Sequence, residues 1–288
     1  MPKRAESSEN TRSRSGVLGR GTFLRTVERG RAGDDDRFPF TVPAIRSLDA
    51  LDLSAPVTFF VGENGSGKST LLEAIAAAAG LPSVGSEDVR SDDTLSAQRS
   101  LGDGLRLVWS RRARRGFFLR AEDFFGYTKR LAVLRSELLA RLDEIEVEYA
   151  DRSAHARALA GGPIRASLAA LESRYGVDLD ANSHGQSFLK LFQSRFVPEG
   201  LYLLDEPEAP LSPQSQLGLL AMMADMVAQD AQFIVATHSP ILMAYPGAAI
   251  LSFDQEPVER VRYEDLDSVR LVRDFLVDPE RYVRRLTQ

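Results

Sequence analysis

The chain has 288 residues, 43% of them hydrophobic and 27% charged, with a formal net charge of −5; this profile suits a globular protein with a sizeable core. The absence of cysteine excludes disulfides, thiol catalysis and zinc–thiolate sites, and the three histidines, His155, His184 and His238, stand at no metal-ligand spacing. The acidic balance lacks the basic footprint usual in nucleic-acid binders.

From the N-terminus, residues 1–15 are rich in Ser, Arg and Glu without apolar periodicity, which predicts a disordered tail. They do not form a secretory signal. The longest apolar-looking run, 71–81, contains a glutamate and falls short of a bilayer span. The expectation is a cytoplasmic protein without membrane insertion. A short strand is predicted over 22–27, a loop over 30–36, and ordered chain again over 38–53. Pro56–Val61 is a continuous apolar run bounded by proline and glycine, as in a buried parallel strand. A glycine-rich turn leads into an alanine-rich helix, Ser69–Ala79, which stops at Gly80.

Residues 83–103 are predicted to be a polar loop. Leu105–Ser110 and Gly116–Arg120 flank the turn Arg111–Arg115, which predicts a β-hairpin. Leu131, Leu134, Leu138, Leu142, Ile145 and Tyr149 step by three or four, giving one amphipathic helix over Lys129–Tyr149. A second helix, Ile164–Tyr175, is placed after the breaker Gly161-Gly162-Pro163. Strands at Leu201–Leu204, Phe233–Ala236 and Ala249–Phe253, with a helix over Pro213–Gln229, complete an α/β alternation. An amphipathic segment, Asp265–Leu276, and a helix, Pro279–Leu286, close the chain.

The resulting fold class is α/β: a mainly parallel sheet flanked by helices, with an antiparallel β subdomain and a helical insertion. The expected organisation is a tail at 1–15 and a first part of the core with the hairpin at 16–126. The helical insertion follows at 127–182, the second part of the core at 183–255, and a helical tail at 256–288.

Gly62-Glu63-Asn64-Gly65-Ser66-Gly67-Lys68-Ser69-Thr70 matches G-x-x-x-x-G-K-[ST] and sits between a buried strand and a helix, as a P-loop NTPase requires. Glycines let successive N–H groups turn inward around a phosphate, and the helix N-terminus adds partial positive charge. Lys68 reaches the β/γ-phosphates and the Ser69 hydroxyl ligates Mg²⁺. The strand Leu201–Leu204 runs on into Asp205 and Glu206, which places both carboxylates at the carboxyl edge of the sheet. There Asp205 holds Mg²⁺ through its water shell and Glu206 polarises the attacking water. His238 closes the strand Phe233–Ala236 on the same edge, within reach of a γ-phosphate.

These elements, in this order, resemble the nucleotide-binding domain of ABC-type ATPases. Ser183-His184-Gly185-Gln186-Ser187 resembles that family's LSGGQ signature and lies 22 residues before Asp205. Ser183, Gly185 and Gln186 match; Asn182 replaces the leucine and His184 the first glycine. The resemblance implies ATP and Mg²⁺ as ligands and an ATP-dependent homodimer in which Ser183, Gly185 and Gln186 complete the partner's site. It places Glu208–Ser212 at the dimer-contacting D-loop and Glu122 at the Q-loop as a further Mg²⁺ or water ligand. Phe38 or Phe40 takes the position of the aromatic that stacks on adenine.

The 56 residues from Tyr127 to Asn182 hold two or three helices, far short of a long coiled-coil arm. The chain therefore resembles the compact, stand-alone bacterial ATPases related to SMC and OLD ATPase heads. The form Thr237-His238-Ser239-Pro240 and the SHGQS signature point the same way. A transporter ATPase subunit with separate membrane chains is the alternative. A third reading is a DNA-associated ATP switch, supported by Arg111, Arg112, Arg114 and Arg115 as phosphate contacts. The helical insertion, the arginine turn and the C-terminal tail offer surfaces for a protein partner.

Overall fold

The structure, a computed structural model, describes residues 22–30, 36–84, 96–175 and 184–286. Elements are numbered in chain order. The first part comprises β1 (Leu24–Arg29), α1 (Pro43–Arg46), β2 (Ala50–Asp52), β3 (Val57–Val61), α2 (Lys68–Ala79), α3 (Ser96–Asp103), β4 (Leu105–Trp109) and β5 (Arg115–Arg120). Two long helices follow, α4 (Ala121–Glu148) and α5 (Ala154–Tyr175). Then come α6 (His184–Arg195), β6 (Gly200–Asp205), α7 (Pro213–Val227), β7 (Gln232–Ala236), α8 (Pro240–Met243), β8 (Ala249–Ser252) and β9 (Glu259–Val261). Helices α9 (Asp267–Val277) and α10 (Pro279–Leu286) end the chain.

The main sheet has the order β5-β6-β7-β3-β8-β9, parallel throughout except for the final pair. Its strands read as unbroken apolar runs because both faces are covered. Phe60, Leu201, Leu203 and Ile234 meet α2 and the small sheet on one face. Phe59, Tyr202, Leu204 and Val235 meet α6 and α7 on the other. The small antiparallel sheet has the order β2-β1-β4. It is anchored to the main sheet by the buried Gln232 side chain, which accepts from Phe23 N and Leu24 N, both at 2.9 Å, and donates to Leu24 O and Leu53 O. Among the described residues, no helix is long and apolar enough to cross a membrane.

Several expectations need correction. β4 and β5 do not form a hairpin: β4 pairs antiparallel with β1, whereas β5 joins β6 in parallel. The Phe117-Phe118-Leu119 run explains the difference, because its side chains are buried on both faces as in a covered parallel strand. The arginine turn is thus a crossing between two sheets. Within the expected loop 83–103, residues 96–103 form α3, while 85–95 lie outside the described residues. The first insertion helix starts at Ala121, directly on β5, rather than near Lys129.

Helix α5 passes through Gly161-Gly162-Pro163 instead of starting after it. Glu146 on α4 braces both sides of that weak turn, 3.6 Å from Arg157 and 3.0 Å from Arg165. Together with Arg135–Glu172 at 3.1 Å, these pairs lay α5 back along α4.

Candidate active site

The register of the main sheet brings the chemical groups to one edge. Arg120 pairs with Asp205 across β5 and β6, and Asp205 pairs with Ala236 across β6 and β7. The Gly62–Thr70 loop leaves β3 at that same edge. Three glycines in it have positive φ: Gly62 at 144°, Gly65 at 82° and Gly67 at 103°. At Gly67 the need is steric as well, since a Cβ would lie 2.7 Å from Val42 Cγ1.

Within the loop, Lys68 is buried and its ammonium donates to the carbonyls of Gly62 (2.8 Å) and Glu63 (2.7 Å). Burial pulls its pKa down, and the carboxylates of Glu206, Asp254, Asp205 and Glu208 pull it back up. The buried Ser66 hydroxyl has no hydrogen-bond partner. A lysine satisfied only by its own loop, beside an orphaned hydroxyl at a helix N-terminus, is the donor set an anionic phosphate completes. Asn64 and Glu63 are exposed, and Ser69 and Thr70 are half-buried on the first turn of α2.

The Ser69 hydroxyl donates to Asp205 Oδ1 at 2.9 Å. Burial pushes the Asp205 carboxyl up to about 7, opposed by that hydrogen bond. Among the described residues, no group of three or more His, Asp and Glu could hold a metal. Ser69 and Asp205 thus offer a two-oxygen site, which suits a Mg²⁺ that keeps waters and substrate oxygens as its other ligands. Glu122 lies on the rim of the same cleft of about 370 Å³, which Ser69, Arg120, Asp205 and Glu206 also line.

Glu206 has φ of 47°, the left-handed region that a non-glycine residue enters at a cost of order 1 kcal/mol. Its Oε1 lies 3.7 Å from His238 Nε2, and both side chains are partly exposed, at 47% and 40%. Phe40 is buried in the core, which removes it as an adenine platform, whereas Phe38 is 56% exposed.

Ser183 lies outside the described residues. Gly185 and Gln186 open α6, with Gly185 packed so closely against Pro210 that a Cβ would meet its carbonyl oxygen at 3.0 Å. Gly185 therefore packs on the loop after β6, and the exposed Gln186 follows it in the same turn. In the arginine turn, Arg111 pairs with Glu199 at 3.1 Å and stacks on Phe23, and Arg112 stacks on Trp109.

The sequence did not single out Arg120, Asp254 or the inward turn of Glu208. Arg120 reaches Glu73 at 3.3 Å and Asp123 at 2.9 Å, linking α2 to the start of α4. Asp254 Oδ1 accepts the Glu63 N–H at 2.6 Å and so pins the start of the phosphate loop. Only their position at or just after a strand end hinted at either.

Residues 42–105, which include the phosphate loop, match the family described as AAA domain. No curated protein matches the sequence. Among solved structures, the Smc head domain from Pyrococcus furiosus is similar at 12% identity and a TM-score of 0.43, over 88% of this chain and 99% of that one. An ATP-binding cassette of an ABC transporter in its ADP conformation is similar at 16% identity and 0.44, over 90% and 96%. A part of the ABC transporter complex cbiONQ from Clostridium perfringens is similar at 13% and 0.41, over 93% and 100%. The matched AAA segment supplies the phosphate loop; Asp205, Glu206 and His238 lie beyond it in sequence and return to the same sheet edge.

Proposed function

We propose that the chain binds Mg-ATP at Gly62–Thr70 and hydrolyses its β–γ bond, acting as an ATP-dependent homodimer in the manner of ABC-type ATPases. The observation that carries this is the gathering of the phosphate loop, Asp205, Glu206 and His238 from β3, β6 and β7 at one sheet edge. Lys68 exchanges its loop carbonyls for phosphate oxygens, and the free Ser66 hydroxyl gains an acceptor. Ser69 and Asp205 would hold Mg²⁺, with Glu122 at the rim. When bound, the ion would supply charge neutralisation to the phosphates.

Glu206 takes the proton of the attacking water, and His238 hydrogen-bonds the γ-phosphate. Arg120, braced by Glu73 and Asp123, adds positive charge to the same cleft. Ser183, Gly185 and Gln186 act on the nucleotide held by a second copy, in keeping with a Gly185 that packs on the loop after β6. The chain works as a compact cytoplasmic ATPase, and the form of its Thr237–Pro240 segment supports this over a transporter subunit.

The test is phosphate release from ATP by the wild-type protein and Lys68→Ala. Release that needs Mg²⁺ and disappears in Lys68→Ala supports the reading. Wild-type protein that binds ATP and releases no phosphate contradicts it.

A further inference from the structure

Glu206 and His238 follow different strands, β6 and β7, and their side chains approach only to 3.7 Å with much of each in solvent. A contact of that kind fixes little by itself; the main chain must set the separation. The ladder between β6 and β7 ends at the Glu206 N–H, which donates to Ala236 O at 2.9 Å. Thr237 N–H turns the other way, to Phe60 O on β3. The next amide, His238 N–H, is taken by a side chain: Glu208 Oε1 accepts it at 2.6 Å. The Thr237 hydroxyl stands beside the same carboxylate.

Glu208 thus continues the strand pairing one step beyond the ladder. Its own turn is tied down by Ala209 N–H to Glu206 O at 3.0 Å and Leu211 N–H to Glu208 O at 2.8 Å. The other carboxylate oxygen, Oε2, is buried without a partner. Burying such an oxygen is costly, and it contributes nothing to stability that would account for a carboxylate here.

We propose that Glu208 is a positioning residue of the hydrolytic site, its carboxylate holding the main chain at His238 and thereby setting the separation of His238 from Glu206. This rests on the hydrolytic reading above. It also gives the segment after Glu206 a task inside its own subunit, in place of the dimer contact alone.

The test compares kcat and KM for Mg-ATP in wild type, Glu208→Ala, Glu208→Gln and Glu206→Gln. Glu208→Ala is expected to lose about 10- to 100-fold in kcat with KM changed less than about twofold, the signature of misplaced groups. Glu208→Gln keeps an oxygen for the His238 N–H and is expected to return to within about threefold of wild type. If the alanine protein does not fold, Glu208→Asp, whose carboxylate is drawn back by one methylene, should show the same loss of kcat. Wild-type kcat in Glu208→Ala or Glu208→Asp, or a glutamine variant as slow as alanine, overturns the proposal. Full turnover in Glu206→Gln instead overturns the hydrolytic reading itself. An inactive Glu206→Gln beside a fully active Glu208→Ala removes only the role of Glu208.

Discussion

The Ser69 hydroxyl, on the first turn of the helix after the phosphate loop, donates to Asp205 Oδ1 at the end of a strand far along the chain, 2.9 Å away. A buried carboxylate with one neutral donor is under-compensated, and this governs both its protonation and its affinity for a cation.

The first consequence concerns pH. Burial raises the Asp205 carboxyl from 3.8 to about 7. Between those values the folded protein keeps a proton that the unfolded chain has released, so stability falls as pH rises through that window and levels off above it. In metal-free buffer with EDTA, Asp205→Asn should gain stability relative to wild type as pH goes from 4 to 7, and no further beyond. Urea unfolding at a series of pH values measures this; a constant difference would contradict it.

Gly67→Ala strikes the phosphate loop at its tightest point. Its φ of 103° and the 2.7 Å approach of a Cβ to Val42 Cγ1 leave an alanine no relaxed conformation. ATP affinity should fall at least about tenfold, with about 1–3 kcal/mol lost in stability. Isothermal titration and urea melts give both values; wild-type affinity would show that the loop tolerates a side chain.

Gln232→Leu separates stability from function. The change orphans Phe23 N, Leu24 N, Leu24 O and Leu53 O, which the Gln232 amide now satisfies at the start of β7. A loss of about 2–4 kcal/mol is expected in urea unfolding. The site sits at the opposite end of β7, so KM for ATP at low temperature should stay at the wild-type value. A shifted KM would mean that the small sheet takes part in nucleotide binding.

The P-loop, Asp205, Glu206 and His238 were legible because each closes or follows a continuous apolar strand, and the parallel sheet aligns such ends. The false hairpin arose because two short strands around an arginine-rich turn look alike whether they pair with each other or with distant partners. Only the unbroken Phe117-Phe118-Leu119 run hinted at a covered parallel strand. Helix α5 continues across Pro163 while packed along α4, with Arg157 and Arg165 paired to Glu146 on either side, a tertiary setting outside the local pattern. Glu208 and Asp254 each act through one long-range hydrogen bond to backbone and Gln232 through several, and such bonds leave no periodic trace.

The dimer has its own test. Gly185 and Gln186 lie in the first turn of α6, and Gly185 packs on the loop after β6; the proposed dimer has them act on the nucleotide of a second copy. Light scattering of Glu206→Gln should show a monomer without nucleotide and a dimer with Mg-ATP. Gln186→Ala placed on that background should weaken the dimer without changing ATP affinity in the monomer. A species that stays monomeric at saturating Mg-ATP would remove the sandwich arrangement.

The most direct measurement places ATP binding and phosphate release side by side in wild type and Glu206→Gln. The expected result is equal affinity for Mg-ATP, with turnover in the variant reduced by about 100-fold or more. Equal turnover in the two proteins would contradict the assignment of Glu206 as the group that activates water, and with it the reading of this sheet edge as a hydrolytic site.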